Sequence, residues 1–106
     1  MPNNKHGFKV LRENLKSLGI LRAPLKQYYF DIWNKAEKPL SPHPKKGGGI
    51  WLAKTLKDAK KLQKYVLKTR GIKTRIFYCK IGKIIFQTPS RIKTNKIFFE
   101  KNNEIL

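Results

Sequence analysis

Acidic residues are what this sequence most lacks. Six Asp and Glu stand among 106 residues, against 25 Lys and Arg, for a formal net charge of +19. General acid–base chemistry usually needs a placed carboxylate or histidine, and few are present. The glutamates are Glu13, Glu37, Glu100 and Glu104, and the histidines are His6 and His43. The histidines are isolated, and a trio such as Ser41, His43 and Glu37 can be assembled from almost any chain. Cysteine is nearly absent too. Cys79 alone cannot form an internal disulfide, which fits a reducing compartment. With no His or Cys beside it, no metal-ligating spacing arises, so neither metal nor cofactor is expected. Inside an apolar strand pattern, Cys79 reads as a buried structural thiol.

Long apolar runs are missing as well. No segment approaches the length of a membrane span. The start, "MPNNKHGFK", has no apolar core of a secretory signal. The expected setting is the cytoplasm of a microbe or of a virus-infected cell.

Positive charge is abundant. Lys far outnumbers Arg, and Ile and Asn are frequent, as an AT-rich genome such as that of a virus or mobile element would produce. That bias would raise Glu as well, and Glu is scarce. Self-repulsion of this size opposes compaction unless anions screen it. The composition therefore points to a polyanionic partner, nucleic acid first and anionic membrane second.

Hydrophobic residues make up 40% and aromatics 11%, enough for one modest core over residues 1–106. Residues 39–49, "PLSPHPKKGGG", read as an exposed, mobile loop, since prolines and glycines leave no room for a helix or central strand. Before it, two helical patterns appear. In "FKVLRENLKSLG", Val10, Leu11, Leu15 and Leu18 share a helical face, and Gly19 is a natural stop. In "APLKQYYFDIWNKAEK", Pro24 fits a first turn, and Leu25, Tyr28, Tyr29, Ile32 and Ala36 follow at helical spacing. After the loop, "GIWLA" reads as a strand. A helix over 55–70 follows, capped by Thr55 with Asp58 three residues on and stopped by Gly71. "IKTRIFYCKI" alternates as a strand, "KIIFQT" is another, and "RIKTNKIFFE" is a third with a break at Asn95. "KNNEIL" is expected to fray. The expected fold is α+β: two N-terminal helices, then a β-α-β-β-β unit forming a small mixed or antiparallel sheet packed against helix 55–70.

The stretch "GGGIWLAKT" misses the P-loop pattern by one residue, with Ala53 in place of the last glycine. Ile50, Trp51 and Leu52 are strand-prone where the phosphate-wrapping turn should lie, so the match is accidental. Lys54 beside a helix N-terminus remains a candidate for one phosphate.

On a helical wheel, Lys57, Lys60, Lys61, Lys64 and Lys68 fall within about a third of the circumference. That face carries no acid, Asp58 standing to one side near the cap, so the like-charge pairs along it are left uncompensated. That marks a phosphate-contacting face. Lys73, Arg75, Arg91 and Lys93 recur between apolar strand residues, and the arginines suit bidentate phosphate contacts. Trp51 and Tyr78 are the aromatics best placed to stack on bases, while Phe77, Phe98 and Phe99 read as core. The expected function is nucleic-acid binding, to DNA or RNA, mainly through phosphates. Two alternatives stay open. One is a small nucleotide-handling enzyme, a transferase or nuclease-like toxin, using Glu100 at the end of an apolar strand. The other is a helix-turn-helix DNA-binding regulator, or an inhibitor of a host nucleoprotein complex, with Gly19 as the turn glycine and Leu25 buried. A protein partner could also pair with an exposed strand edge such as "KIIFQT". The oligomeric state is not specified by the sequence.

Overall fold

The computed structural model describes residues 5–19, 25–37, 40–43 and 48–106. It contains strands β1 (His6–Arg12), β2 (Trp33–Lys35) and β3 (Ile50–Ala53), helix α1 (Leu56–Arg70), and strands β4 (Thr74–Ile81), β5 (Ile84–Gln87), β6 (Arg91–Thr94), β7 (Lys96–Phe98) and β8 (Glu104–Ile105). The strands form one sheet in the order β2-β7-β4-β1-β3-β6-β5, with β8 added to β4. Every pairing between these strands is antiparallel.

The sheet curls on itself because two of its arms are bent. Only Gly82 and Lys83 separate β4 from β5, and only Asn95 separates β6 from β7. β4–β5 and β6–β7 are thus one long hairpin with a bend in each arm. At the bend, the Lys83 N–H donates to Asn95 Oδ1 at 2.8 Å and the Gly82 N–H to the Lys96 carbonyl at 2.9 Å. A Cβ on Gly82 would stand 2.7 Å from Lys96 Cγ, so the close approach requires glycine here. At the hairpin's tip, the Thr88 hydroxyl accepts from the Ser90 and Arg91 N–H groups around Pro89. β1 and β3 bridge from β4 back to β6, which closes a small barrel-like sheet.

Strand alternation sorts the side chains into two layers. Leu11, Ile50, Leu52, Phe77, Cys79, Ile81, Ile92, Ile97 and Phe99 fill the inside, joined by Tyr28 from the segment after β1. Val10, Ala53 and Ile76 lie on the outside beneath Ala59 of α1, with Phe8, Leu18, Leu56, Leu62 and Ile105 around them. Ala59 and Val66 are fully buried. Removing such an aliphatic side chain from water contributes about 1.5–3 kcal/mol for Val or Ile, so α1 is held by its packed stripe rather than by its lysine-rich propensity. Thr55 caps it, its Oγ1 accepting the Asp58 N–H at 3.1 Å. Gly71, in the left-handed region at φ 66°, ends it.

Strands β3 and β4 both pair with β1 and run in the same direction on either side of it. The strand–helix–strand unit therefore straddles an inserted strand.

The expectation of two N-terminal helices is overturned. The first segment is β1, whose residues 6–12 pair one-for-one with 80–74. The second is irregular chain followed by β2. Asp31 breaks it at φ 65°, and buried Asn34 pins the turn: its side chain accepts the Tyr29 N–H and donates to the Tyr29, Ile32 and Ile97 carbonyls. Without those helices the helix-turn-helix alternative has no scaffold; the expected helix start at Pro24 lies outside the described residues. The tail is ordered, not frayed: β8 pairs Ile105 with Ile76 and Glu104 with Phe77. Of the 39–49 loop, Pro39 and residues 44–47 lie outside the described residues. Leu40 makes a bridge to Gly48.

Candidate nucleic-acid interface

Helix α1 presents Lys57, Lys60, Lys61, Lys64 and Lys68 to solvent. Four of them, with Lys73 just beyond the helix, rim an open groove of about 1060 Å³. Leu56, Leu67 and Ile72 form its apolar floor, and Glu13 is its one acid. Leu67 is half exposed and belongs to this groove rather than to the core beneath α1. The groove exists because α1 stops at Gly71 and the chain folds back through Ile72 and Lys73 into β4.

The other sequence-derived candidates disperse. Arg91 is exposed on the same outer sheet face as α1, its guanidinium 4.6 Å from the centre of the Trp51 ring. Trp51 is half-buried, edge-on to Phe86. Lys93 is 2% exposed, and its ammonium donates to the carbonyls of Ser41 at 2.7 Å and His43 at 2.8 Å. It fastens the loop rather than facing solvent. Arg75 alternates onto the inner face with Phe77 and is held by Glu104, Nη2 to Oε1 at 2.8 Å and Nε to Oε2 at 3.0 Å. That pair raises the arginine's pKa and lowers the glutamate's, the hydrogen bond being the main cause of each shift. Lys54 is half-buried and its N–H donates to the Ser90 carbonyl. The α1 N-terminus already carries the Asp58 carboxylate, which accepts the Thr55 hydroxyl at 2.8 Å. Glu100 is exposed, and its carbonyl and N–H are used by Asn103 to close a 3₁₀ turn over Lys101–Asn103. β5, the "KIIFQT" strand, lies at one end of the strand order.

Tyr78 is exposed on the outer face, and it is not alone. His6 stacks on it, centroids 4.7 Å apart and planes 6° from parallel. Lys80, Phe98, Trp33 and Lys96 continue across β4, β7 and β2 on the same face. Sequence reasoning leaves Trp33 on an expected helix and Phe98 in the core, and chooses neither for the site. The legible signal was the alternation on either side of Asn95, which sends Ile97 inward and Lys96 and Phe98 outward.

One unusual group is buried. Lys9 points inward from β1 and donates to the Trp51 carbonyl at 2.7 Å, with its ammonium 5.3 Å from the Tyr28 ring centre. Burial pulls its pKa down to about 8 and pushes the Cys79 thiol up to about 12. Burial also raises the Tyr28 phenol. A proton-holding thiol under the sheet is a packing group, not a nucleophile.

Among the described residues, no group of three or more His, Cys, Asp or Glu could hold a metal ion. No helix there is long and apolar enough to cross a membrane. Comparisons with protein-family models, with curated proteins and with solved structures return no match.

Proposed function

We propose that this protein binds nucleic acid mainly through phosphate contacts made by the lysines of α1. The observation that carries the reading is the exposed row Lys57, Lys60, Lys61, Lys64 and Lys68, with no acid on that face of the helix, Asp58 lying to its side, and with Lys73 across a groove whose one acid is Glu13. Five ammoniums this close repel one another by a few tenths of a kcal/mol for each i,i+4 pair, and a phosphate backbone would relieve that repulsion while releasing its counterions. The net charge of +19 would steer such an encounter from any direction. Arg91, stacked on Trp51, adds a cation to the same outer face. The lysine-, isoleucine- and asparagine-rich composition favours an AT-rich source such as a virus or mobile element, acting in the cytoplasm.

Salt titration tests the reading. Binding to duplex or single-stranded nucleic acid should weaken steeply with salt, with a log–log slope of about −0.9 per duplex phosphate contacted. Changing Lys57, Lys61, Lys64 and Lys68 together to Gln should flatten that slope and leave the circular dichroism melt intact. A slope unaltered by the four changes would show that α1 is only a solvated face.

A further inference from the structure

The outer sheet face beyond the N-terminal end of α1 carries a continuous row of rings and ammoniums. Phe8 lies opposite Ala53 on one side and Tyr78 on the other, so Tyr78 sits at the level where β3 hands over to α1. From there the row crosses three strands. Lys80 is paired with Phe98, and Phe98 with Trp33. The Trp33 and Phe98 rings are 5.6 Å apart. Lys80 holds its ammonium 5.9 Å from the Phe98 ring centre, and Lys96 holds its own 4.6 Å from that of Trp33. Tyr78 is 40% exposed and Trp33 41%. No acidic residue of β1, β4, β7 or β2 stands in this row.

Large rings on a strand's outer face are normally covered by a second layer. Tyr78 and Trp33 are left partly in solvent, while α1 covers Val10 and Ile76 further along the same strands. An apolar protein partner would have to bury Lys80 and Lys96 beside the rings without offering them a counter-charge. Single-stranded nucleic acid offers both complements at once, a flat base for each ring and a phosphate for each ammonium. Duplex offers only the phosphates, because its base faces are already stacked.

We infer that this row, with Tyr78 and Trp33 as its principal rings, binds single-stranded nucleic acid by stacking unpaired bases; this rests on the polyanion reading above and adds strand selectivity to it. Strand spacing and rise put the two rings roughly 12 Å apart, so they serve different bases. In the free protein, Lys96 covers part of the Trp33 ring. Such an exposed cation–π contact contributes about 0.5–1 kcal/mol, less than the 1–3 kcal/mol typical of base–aromatic stacking. A base therefore displaces the ammonium from the ring and leaves it beside the adjoining phosphate. His6 lies parallel to the Tyr78 ring at 4.7 Å and Phe8 packs against it at 5.1 Å, tilted by 50°, so two neighbours on β1 hold that ring in place.

The test measures fluorescence anisotropy of labelled oligothymidylate, oligouridylate, a DNA duplex and inorganic polyphosphate at physiological salt. It compares the unaltered chain with the double variant Trp33→Ala, Tyr78→Ala and the ring-retaining double variant Trp33→Phe, Tyr78→Phe. The alanine variant should lose about tenfold or more in affinity for the single strands and keep its affinity for duplex and polyphosphate. The phenylalanine variant should retain most single-strand binding. Equal losses on all four ligands, or no loss on the single strands, would overturn the stacking platform. Binding of duplex and polyphosphate that is strong and salt-sensitive in every variant would leave the phosphate reading standing while the platform fell. Failure of the unaltered chain to bind any of the four would overturn both.

Discussion

The side chain of Lys93 fills the space above Gly49. Gly49 sits at φ 152°, and a Cβ built there would lie 2.7 Å from Lys93 Cγ and 2.9 Å from its Cδ. Lys93 cannot step aside freely, because its ammonium is fixed by the Ser41 and His43 carbonyls. Gly49→Ala should therefore destabilise the fold by about 2 kcal/mol or more, from strain and overpacking together. Urea denaturation measures it. Pairing the change with Lys93→Ala should recover part of the loss, and a fully stable single variant would show that Lys93 has another route.

Stability should vary with pH in a way that separates two buried groups. Lys9 has a folded pKa near 8, below its ordinary value of 10.5. Between those values the unfolded chain holds a proton that the folded chain has released, so stability rises with pH. The Cys79 thiol, raised from 9.0 to about 12, acts in reverse above pH 9, where the folded chain keeps a proton that the unfolded chain has lost. Denaturation midpoints should climb from pH 8 to 9 and then level off or fall. Lys9→Met should abolish the climb, and Cys79→Ala should remove the decline that sets in near pH 9, leaving only the one that the raised Tyr28 phenol adds above pH 10. A flat profile across pH 8 to 9 in the unaltered chain would mean that Lys9 is solvated.

The Arg75–Glu104 pair ties β8 to the barrel. Its side chains remain 28% and 21% exposed, so solvent screening keeps its contribution to about 1 kcal/mol at most. Glu104 is held below the ordinary glutamate value. Its stabilisation is thus complete above that value and disappears as pH falls through the folded one. Glu104→Gln should cost up to about 1 kcal/mol at neutral pH, and the acid dependence should weaken. Amide exchange at Ile105 and Ile76 should accelerate locally. Unchanged exchange there would show that β8 is held by the packing of Ile105 alone.

What the sequence showed and what it hid divide near residue 50. From Ile50 to Phe98 the local signals agree: Thr55 and Gly71 bracket a helix, alternation marks β4, and Asn95 interrupts the last long run; the tail misled, because the pairing of Ile105 with Ile76 leaves no local mark. The first half misled because β1 is covered on both faces. Val10 packs beneath α1 and Leu11 inside the barrel, so two neighbouring apolar residues mimicked one helical stripe. Lys9, a residue normally read as solvent-facing, points inward and erased the alternation that would have marked a strand. In the second segment, the helical spacing of Tyr28, Ile32 and Ala36 is real. Asp31 in the left-handed region and Asn34 bonded to three carbonyls override it, and neither announces itself locally. The lysine stripe of α1 was legible from helical geometry alone. The ring row was not, because it depends on which strands become neighbours, and β2, β7, β4 and β1 are not adjacent in sequence.

The position of β1 sets an order of assembly. It is the strand between β3 and β4, with Phe8 opposite both Ala53 and Tyr78. On the ribosome it is made before either neighbour, and His6 waits for Lys80, almost the whole chain later, before its pairing is complete. Until β3 is made, a strand with apolar residues on both faces has no partner, and until β4 follows one of its edges stays open. Such long-range closure slows folding and leaves pairing surfaces open meanwhile. The same charge that repels the finished protein from itself would also keep neighbouring nascent chains apart during that wait.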